Sequence, residues 1–125
     1  MGITSDTMDI TNSKEVSDLI SSAKPKEVYF LAAFHHSSEE DINKDLKLFS
    51  KSIDIHVIAT VNFLDEITFH SPKSRFFYAS SCLVFAPSDI LQTEDTEIKL
   101  KGIYGISKAA ITYISLISGK GRLKL

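Results

Sequence analysis

Two β-forming apolar runs constrain this chain more than any other feature: Glu27–Ala33 (Glu-Val-Tyr-Phe-Leu-Ala-Ala) and Arg75–Val84 (Arg-Phe-Phe-Tyr-Ala-Ser-Ser-Cys-Leu-Val). Neither alternates polar with apolar residues, so each suits a strand covered on both faces, as in parallel sheets layered by helices. Helix-like segments stand before, between and after them. Asn12–Ala23 opens on the polar cluster Thr11-Asn12-Ser13, suited to an N-cap, carries Val16, Leu19 and Ile20 at helical spacing, and stops before Pro25. After a polar, acidic stretch His35–Asp45, the segment Leu46–Phe69 places Leu48, Phe49, Ile53, Val57, Ile58, Val61, Phe63, Leu64 and Ile67 mostly three or four apart, predicting a long helix. Ser71-Pro72-Lys73-Ser74 ends it. Ala86–Gly102 reads as a long polar loop, a last helix runs from about Tyr104 to Ile117, and Gly119–Leu125 is a basic, Gly-containing tail. Helix and strand in alternation predict an α/β fold with a parallel sheet.

Composition narrows the function. With 125 residues, 43% hydrophobic, eight Phe and four Tyr, there is material for one core and one domain, and disordered or fibrous classes are excluded. Fourteen Lys+Arg against 16 Asp+Glu leave a net charge of −2, without the basic face of a nucleic-acid protein. No apolar stretch approaches the ~18 residues of a membrane span, and the N-terminus lacks the pattern of a signal peptide. The single cysteine, Cys82, cannot form an internal disulfide; a buried thiol in a reducing cytoplasm is the expectation.

The chemistry-bearing residues gather at the ends of the two strands. Tyr104-Gly105-Ile106-Ser107-Lys108 sets a phenol and an ammonium four residues apart, on one face of a helix. A neighbouring ammonium favours the phenolate, so the pair is expected to lower the tyrosine pKa and act as an acid/base unit. Upstream, Ala79-Ser80-Ser81 closes one strand and Phe30-Leu31-Ala32-Ala33 the other, where α/β folds place their sites. His35-His36 with Glu39 and Glu40 has no zinc spacing, so no metal is expected, and the absence of a G-x-S-x-G elbow argues against a serine hydrolase.

Several pieces together resemble the extended short-chain dehydrogenase/reductase family, the NAD-dependent epimerases and dehydratases of nucleotide sugars. They are Met8-Asp9-Ile10-Thr11, Val28-Tyr29-Phe30-Leu31-Ala32-Ala33, Ala59-Thr60-Val61-Asn62-Phe63-Leu64-Asp65, Tyr78-Ala79-Ser80-Ser81 and Tyr104-Gly105-Ile106-Ser107-Lys108-Ala109. The Y-G-x-S-K form and the Phe-Tyr-Ala-Ser-Ser run are most similar to the GDP-mannose 4,6-dehydratase branch. The resemblance implies a partial Rossmann-like, doubly wound parallel sheet over residues 1–118, lacking the first strands and the substrate domain, with 119–125 as the tail. It implies NADP or NAD on the rim: Asp9 and Ile10 beside the adenine, Leu31, Ala32 and Ala33 along pyrophosphate and ribose, Tyr104 and Lys108 at the nicotinamide end. Ser81, Tyr104 and Lys108 would be catalytic, acting on the 4-hydroxyl of a nucleotide sugar, GDP-mannose first. Nucleic acid and membrane are not expected partners. For the helix Ile53–Phe69 two readings stay open, core packing and the interface of a homodimer.

Departures from the family are expected to matter. No G-x-x-G-x-x-G turn precedes the matching region and no substrate-binding part follows it, so a fragment with crippled binding, or a non-catalytic remnant, is the expectation for the chain alone. Leu83 stands where dehydratases place a Glu two residues after the catalytic hydroxyl, which points toward epimerisation or reduction unless Glu94 or Asp95 serves. His56, in place of an Asn, and Glu97, Leu100 and Gly102 in the loop read as drift.

Overall fold

The computed structural model describes residues 1–34, 46–85, 89, 91–93, 95–100, 102–117 and 123–124. The order is helix α1 (Ser13–Ala23), strand β1 (Glu27–Phe30), helix α2 (Leu46–Ile53), a π-helical turn (Asp54–Ile58), helix α3 (Ala59–His70), strand β2 (Arg75–Tyr78), a 3₁₀ turn (Cys82–Val84), helix α4 (Gly102–Ile117) and strand β3 (Leu123–Lys124). His35, His36, Glu39, Glu40, Glu94 and most of the tail lie outside the described residues.

Asn12 caps α1 as its sequence suggests, its side chain accepting from the amides of Lys14 and Glu15. The helix ends at Lys24, in the left-handed region at φ 41°, one residue before the proline that cannot extend it. The predicted helix Leu46–Phe69 forms as one rod from α2 through α3, with a feature that spacing alone did not reveal. At Asp54–Ile58 the ladder takes one extra residue, the Ala59 amide donating to the Asp54 carbonyl.

Both strands are shorter than their apolar runs. β1 stops at Phe30 rather than Ala33, and β2 at Tyr78 rather than Val84. The reason lies in the register: Glu27–Phe30 pairs in parallel with Arg75–Tyr78, and the amide of Ala79 makes the next bond, to the Phe30 carbonyl at 3.1 Å. Beyond it the chains leave the ladder to form the rim. The backbone of Leu123–Lys124 pairs in parallel with Phe76–Phe77, giving the order β1-β2-β3 and a strand where the sequence reads as tail.

The pleat sorts the side chains into two faces. Phe30, Phe76 and Tyr78 turn inward and meet Val16 and Ile20 of α1, Val57 of the π turn, Phe63 and Ile67 of α3 and Ile111 of α4 in one core. Phe30 sits at its centre, its ring 5.5 Å from Phe63 edge-on and 6.0 Å from Tyr78 in a stack. Thus the rod α2–α3 packs into the core, while Leu46, Ile58 and Phe69 remain exposed on it. On the opposite face Tyr29 is exposed, its ring leaning on Phe77, as is Leu31 just past the strand, so among the described residues β1 is covered on one face and not on both as its unbroken apolar run suggests. Ala86–Gly102 is not wholly irregular: Phe85 forms an antiparallel bridge with Ile98, and the amide of Lys99 donates to the Val84 carbonyl.

Candidate active site

The site grows from the point where the strand ladder ends. The carbonyls of Ala32 and Ala79 lie past the last ladder bond and need a donor from elsewhere. Lys108 supplies it: its Nζ donates to the Ala79 carbonyl at 2.8 Å and reaches the Ala32 carbonyl at 3.5 Å. The side chain is only 1% exposed, and its ammonium rests 4.7 Å above the Tyr78 ring and 5.9 Å from that of Tyr104. Burial among these groups pushes the lysine pKa down to about 8.

Tyr104, one turn earlier on α4, is half-buried, its ring edge-on to His56 at 5.2 Å. Its pKa moves opposite to the sequence expectation: burial raises the phenol first, and the Cys82 thiol beside it raises it further. Lys108 does not reverse this because its ammonium is turned onto the strand carbonyls and is itself disfavoured by burial. In the free protein the phenol is therefore held in its acid form. Tyr78 below is raised as well, by burial and then by Tyr104, and its buried hydroxyl has no partner among the described residues.

Ser81 lies on the segment that follows β2, in extended conformation, and its Oγ accepts from the Leu83 amide at 3.2 Å, capping the 3₁₀ turn. That turn sits directly on α4. A Cβ added at Gly105 would stand 2.7 Å from the Leu83 carbonyl oxygen, so the glycine is what allows so close an approach. The Ser81 turn and the Tyr104 turn are brought together by this contact. Cys82 is exposed, not buried as expected, because the chain has already left the sheet and turned outward there. Leu83 is 50% exposed.

The remaining sequence-predicted residues occupy the rim and its approach. Leu31 and Ala33 are exposed and Ala32 half-buried, immediately past β1. Asp9 precedes α1, and its contacts are local: Oδ1 accepts from the amide of Thr11 at 2.9 Å and its hydroxyl at 2.7 Å, which holds the carboxyl below its ordinary value. The Asp9 amide donates to Glu15, and Ile10 packs against the core. Lys108 thus joins Ala32 to Ala79, on the segment that leads to Ser81, and lies beside Tyr104, whereas Asp9 and Ile10 keep contacts of their own.

His56 reads as drift in the sequence, yet the fold gives it defined partners. The imidazole is fully buried, its Nε2 accepting from the Phe34 amide at 2.8 Å and its Nδ1 2.8 Å from Ser107 Oγ. The available signal was its place among Ile53, Val57 and Thr60 on the inward face of a long helix. Gly102, also read as drift, starts α4 with φ +72°, a conformation that favours glycine. Among the described residues no group of three His, Cys, Asp or Glu could hold a metal ion, and no helix is long and apolar enough to cross a membrane.

A parallel sheet whose strand ends converge on the buried lysine of a Tyr-x-x-x-Lys helix defines a Rossmann-like fold of the epimerase/dehydratase class. The family model described as GDP-mannose 4,6 dehydratase matches residues 3–117, and the chain belongs to that family. No curated protein matches it. Among solved structures the fold is similar to Pal from Bacillus thuringiensis (22% identity over 92% of this chain and 35% of that one, TM-score 0.77). It is also similar to RMD from Pseudomonas aeruginosa complexed with NADPH (21%, 93% and 40%, 0.75). A third is UDP-glucose-4-epimerase from Stenotrophomonas maltophila with bound NAD (16%, 92% and 33%, 0.73). The chain spans roughly a third to two fifths of these structures.

Proposed function

We propose that this chain carries the cofactor rim and proton-transfer residues of an NAD(P)-dependent nucleotide-sugar enzyme, with 4,6-dehydration of GDP-mannose as the leading reaction. Lys108 carries the reading. An ammonium has three N–H groups; the carbonyls of Ala79 and Ala32 account for two among the described residues, and the third suits a ribose hydroxyl at the rim. The donor set therefore fits a nicotinamide nucleotide, NADP or NAD. Exposed Leu31 and Ala33, with Ala32, offer the edge along which pyrophosphate and ribose would lie, and Asp9 and Ile10 would take the adenine. The UDP-glucose-4-epimerase and RMD structures, which hold NAD and NADPH, support this placement by fold.

When bound, the nicotinamide supplies the hydride acceptor. Once its phenol has released its own proton to solvent, Tyr104 would take the proton of the sugar 4-hydroxyl as the phenolate, Ser81 Oγ would hydrogen-bond the same oxygen, and Lys108 would orient the ribose with its positive charge near that phenolate. One observation favours a second reading: Leu83 occupies the position of the dehydratase Glu, and an alkyl side chain cannot remove a proton. Epimerisation or reduction of a nucleotide sugar by the same Ser81, Tyr104 and Lys108 needs no such base.

The test is titration of the purified chain with NADPH, followed by the fluorescence of its reduced nicotinamide, with NADP added as the competitor. Weak but saturable binding is expected, lowered about tenfold further by Lys108→Ala and nearly unchanged by Tyr104→Phe, consistent with the ~1.4 kcal/mol of a single charge-assisted contact. No binding at millimolar cofactor overturns the proposal.

A further inference from the structure

The buried His56 ring is engaged on two different elements at once. Phe34, four residues past the end of β1, donates its amide to Nε2, and Ser107 of α4 meets Nδ1. Ser107 Oγ in turn donates to the Tyr104 carbonyl at 3.1 Å, which leaves its lone pairs to the imidazole. The direction of the relay is fixed at both ends, because an amide N–H can only donate and a carbonyl can only accept. Between them the ring satisfies both contacts in one form, neutral with the proton on Nδ1. With a proton on Nε2, a hydrogen would point at the hydrogen of Phe34.

The two ends are not equivalent places. Phe34 closes the segment Leu31–Phe34, the cofactor side of the rim, and the Tyr104 carbonyl belongs to the turn that aims the phenol. The Tyr104 ring also packs edge-on against the same imidazole. We propose that His56 is a positioning residue that locks the cofactor-side segment and the Tyr104 turn to one another through its neutral Nδ1–H tautomer. Its bearing on catalysis rests on the function proposed above; the linkage itself does not.

Long-range ¹⁵N–¹H correlation of the histidine rings in the labelled full chain reads the tautomer directly. At neutral pH His56 is expected to show a protonated Nδ1 and an acceptor Nε2. Ser107→Ala removes the acceptor without touching Phe34, and should speed hydrogen exchange of the Phe34 amide at least several-fold. An Nε2–H ring, an imidazolium, or unchanged exchange at Phe34 overturns the proposal. These readings need no cofactor, so a wild-type chain that fails to bind NADPH would sink the proposed function and leave the linkage standing. Where NADPH binds, two variants separate the ends of the relay. His56→Gln keeps an acceptor near Phe34, and His56→Asn keeps a donor near Ser107. His56→Asn should weaken NADPH about tenfold and His56→Gln should not; equal losses in the two mean that the ring is mere packing.

Discussion

Lys108 gives the site a pH signature in stability that can be worked out in advance. Its pKa is about 8 in the folded protein and about 10.4 in an unfolded chain. Between those values the unfolded state holds the proton more firmly, so stability rises with pH. Integrating the linkage from pH 7 to 9.5 gives a gain of about 2 kcal/mol. The raised phenols of Tyr78 and Tyr104 act in the other sense: a folded pKa above the unfolded one means stability lost as pH climbs past 10. The window below 10 therefore isolates the lysine. The perturbation is Lys108→Met, which keeps the stem and removes the titrating group. Urea unfolding at a series of pH values should show the upward slope in the native chain and a flat profile in the variant, whatever the variant's absolute stability. Parallel profiles would refute the claim that a buried, solvent-deprived ammonium sits at the strand ends.

Gly105→Ala places a Cβ 2.7 Å from the Leu83 carbonyl; the strain of forcing the turn away outweighs the ~1 kcal/mol of helix propensity gained, so thermal unfolding should shift down. A variant that unfolds at higher temperature would show that the turn gives way freely. Asn12→Ala removes two amide contacts at the start of α1 and should cost about 1 kcal/mol in the same urea experiment, with no change in the pH slope. Tyr104→Phe should retain NADPH as the unsubstituted chain does but lose whatever hydride transfer to or from a nucleotide sugar the unsubstituted chain supports; equal turnover in the two would remove the tyrosine from the mechanism.

The elements were legible in the sequence where one local rule decided them. Asn12, Ser13 and Pro25 bracket α1, and the three-and-four spacing of Leu46–Phe69 marks the rod. Apolar character located both strands but could not end them, since Leu31 and Leu83 are as hydrophobic as their neighbours and sit outside the ladder. What ends a strand here is register with its partner, a property of two segments together. The site divides the same way. Tyr104, Lys108 and Ser81 were visible as a motif, whereas His56 and Ser107, 51 residues apart, meet only through the fold. The protonation balance was misread for a related reason: proximity along a helix favours a low phenol pKa, and burial, which no spacing reports, reverses it.

The π-helical turn gives the long rod a phase that is set in one place. Each α-helical residue advances the screw by about 100°, and the extra residue at Asp54–Ile58 changes which side chains come round to the sheet. Phe63 faces Phe30 and Ile67 joins the same core because the count is kept upstream of them. Losing one residue within the turn would leave a helix just as regular and swing the whole of α3 about its axis, carrying Phe63 and Ile67 off the core and His56 out of line with Ser107. Residues in this turn that touch neither rim nor core thus govern both, as the tooth count of a gear governs timing without bearing load.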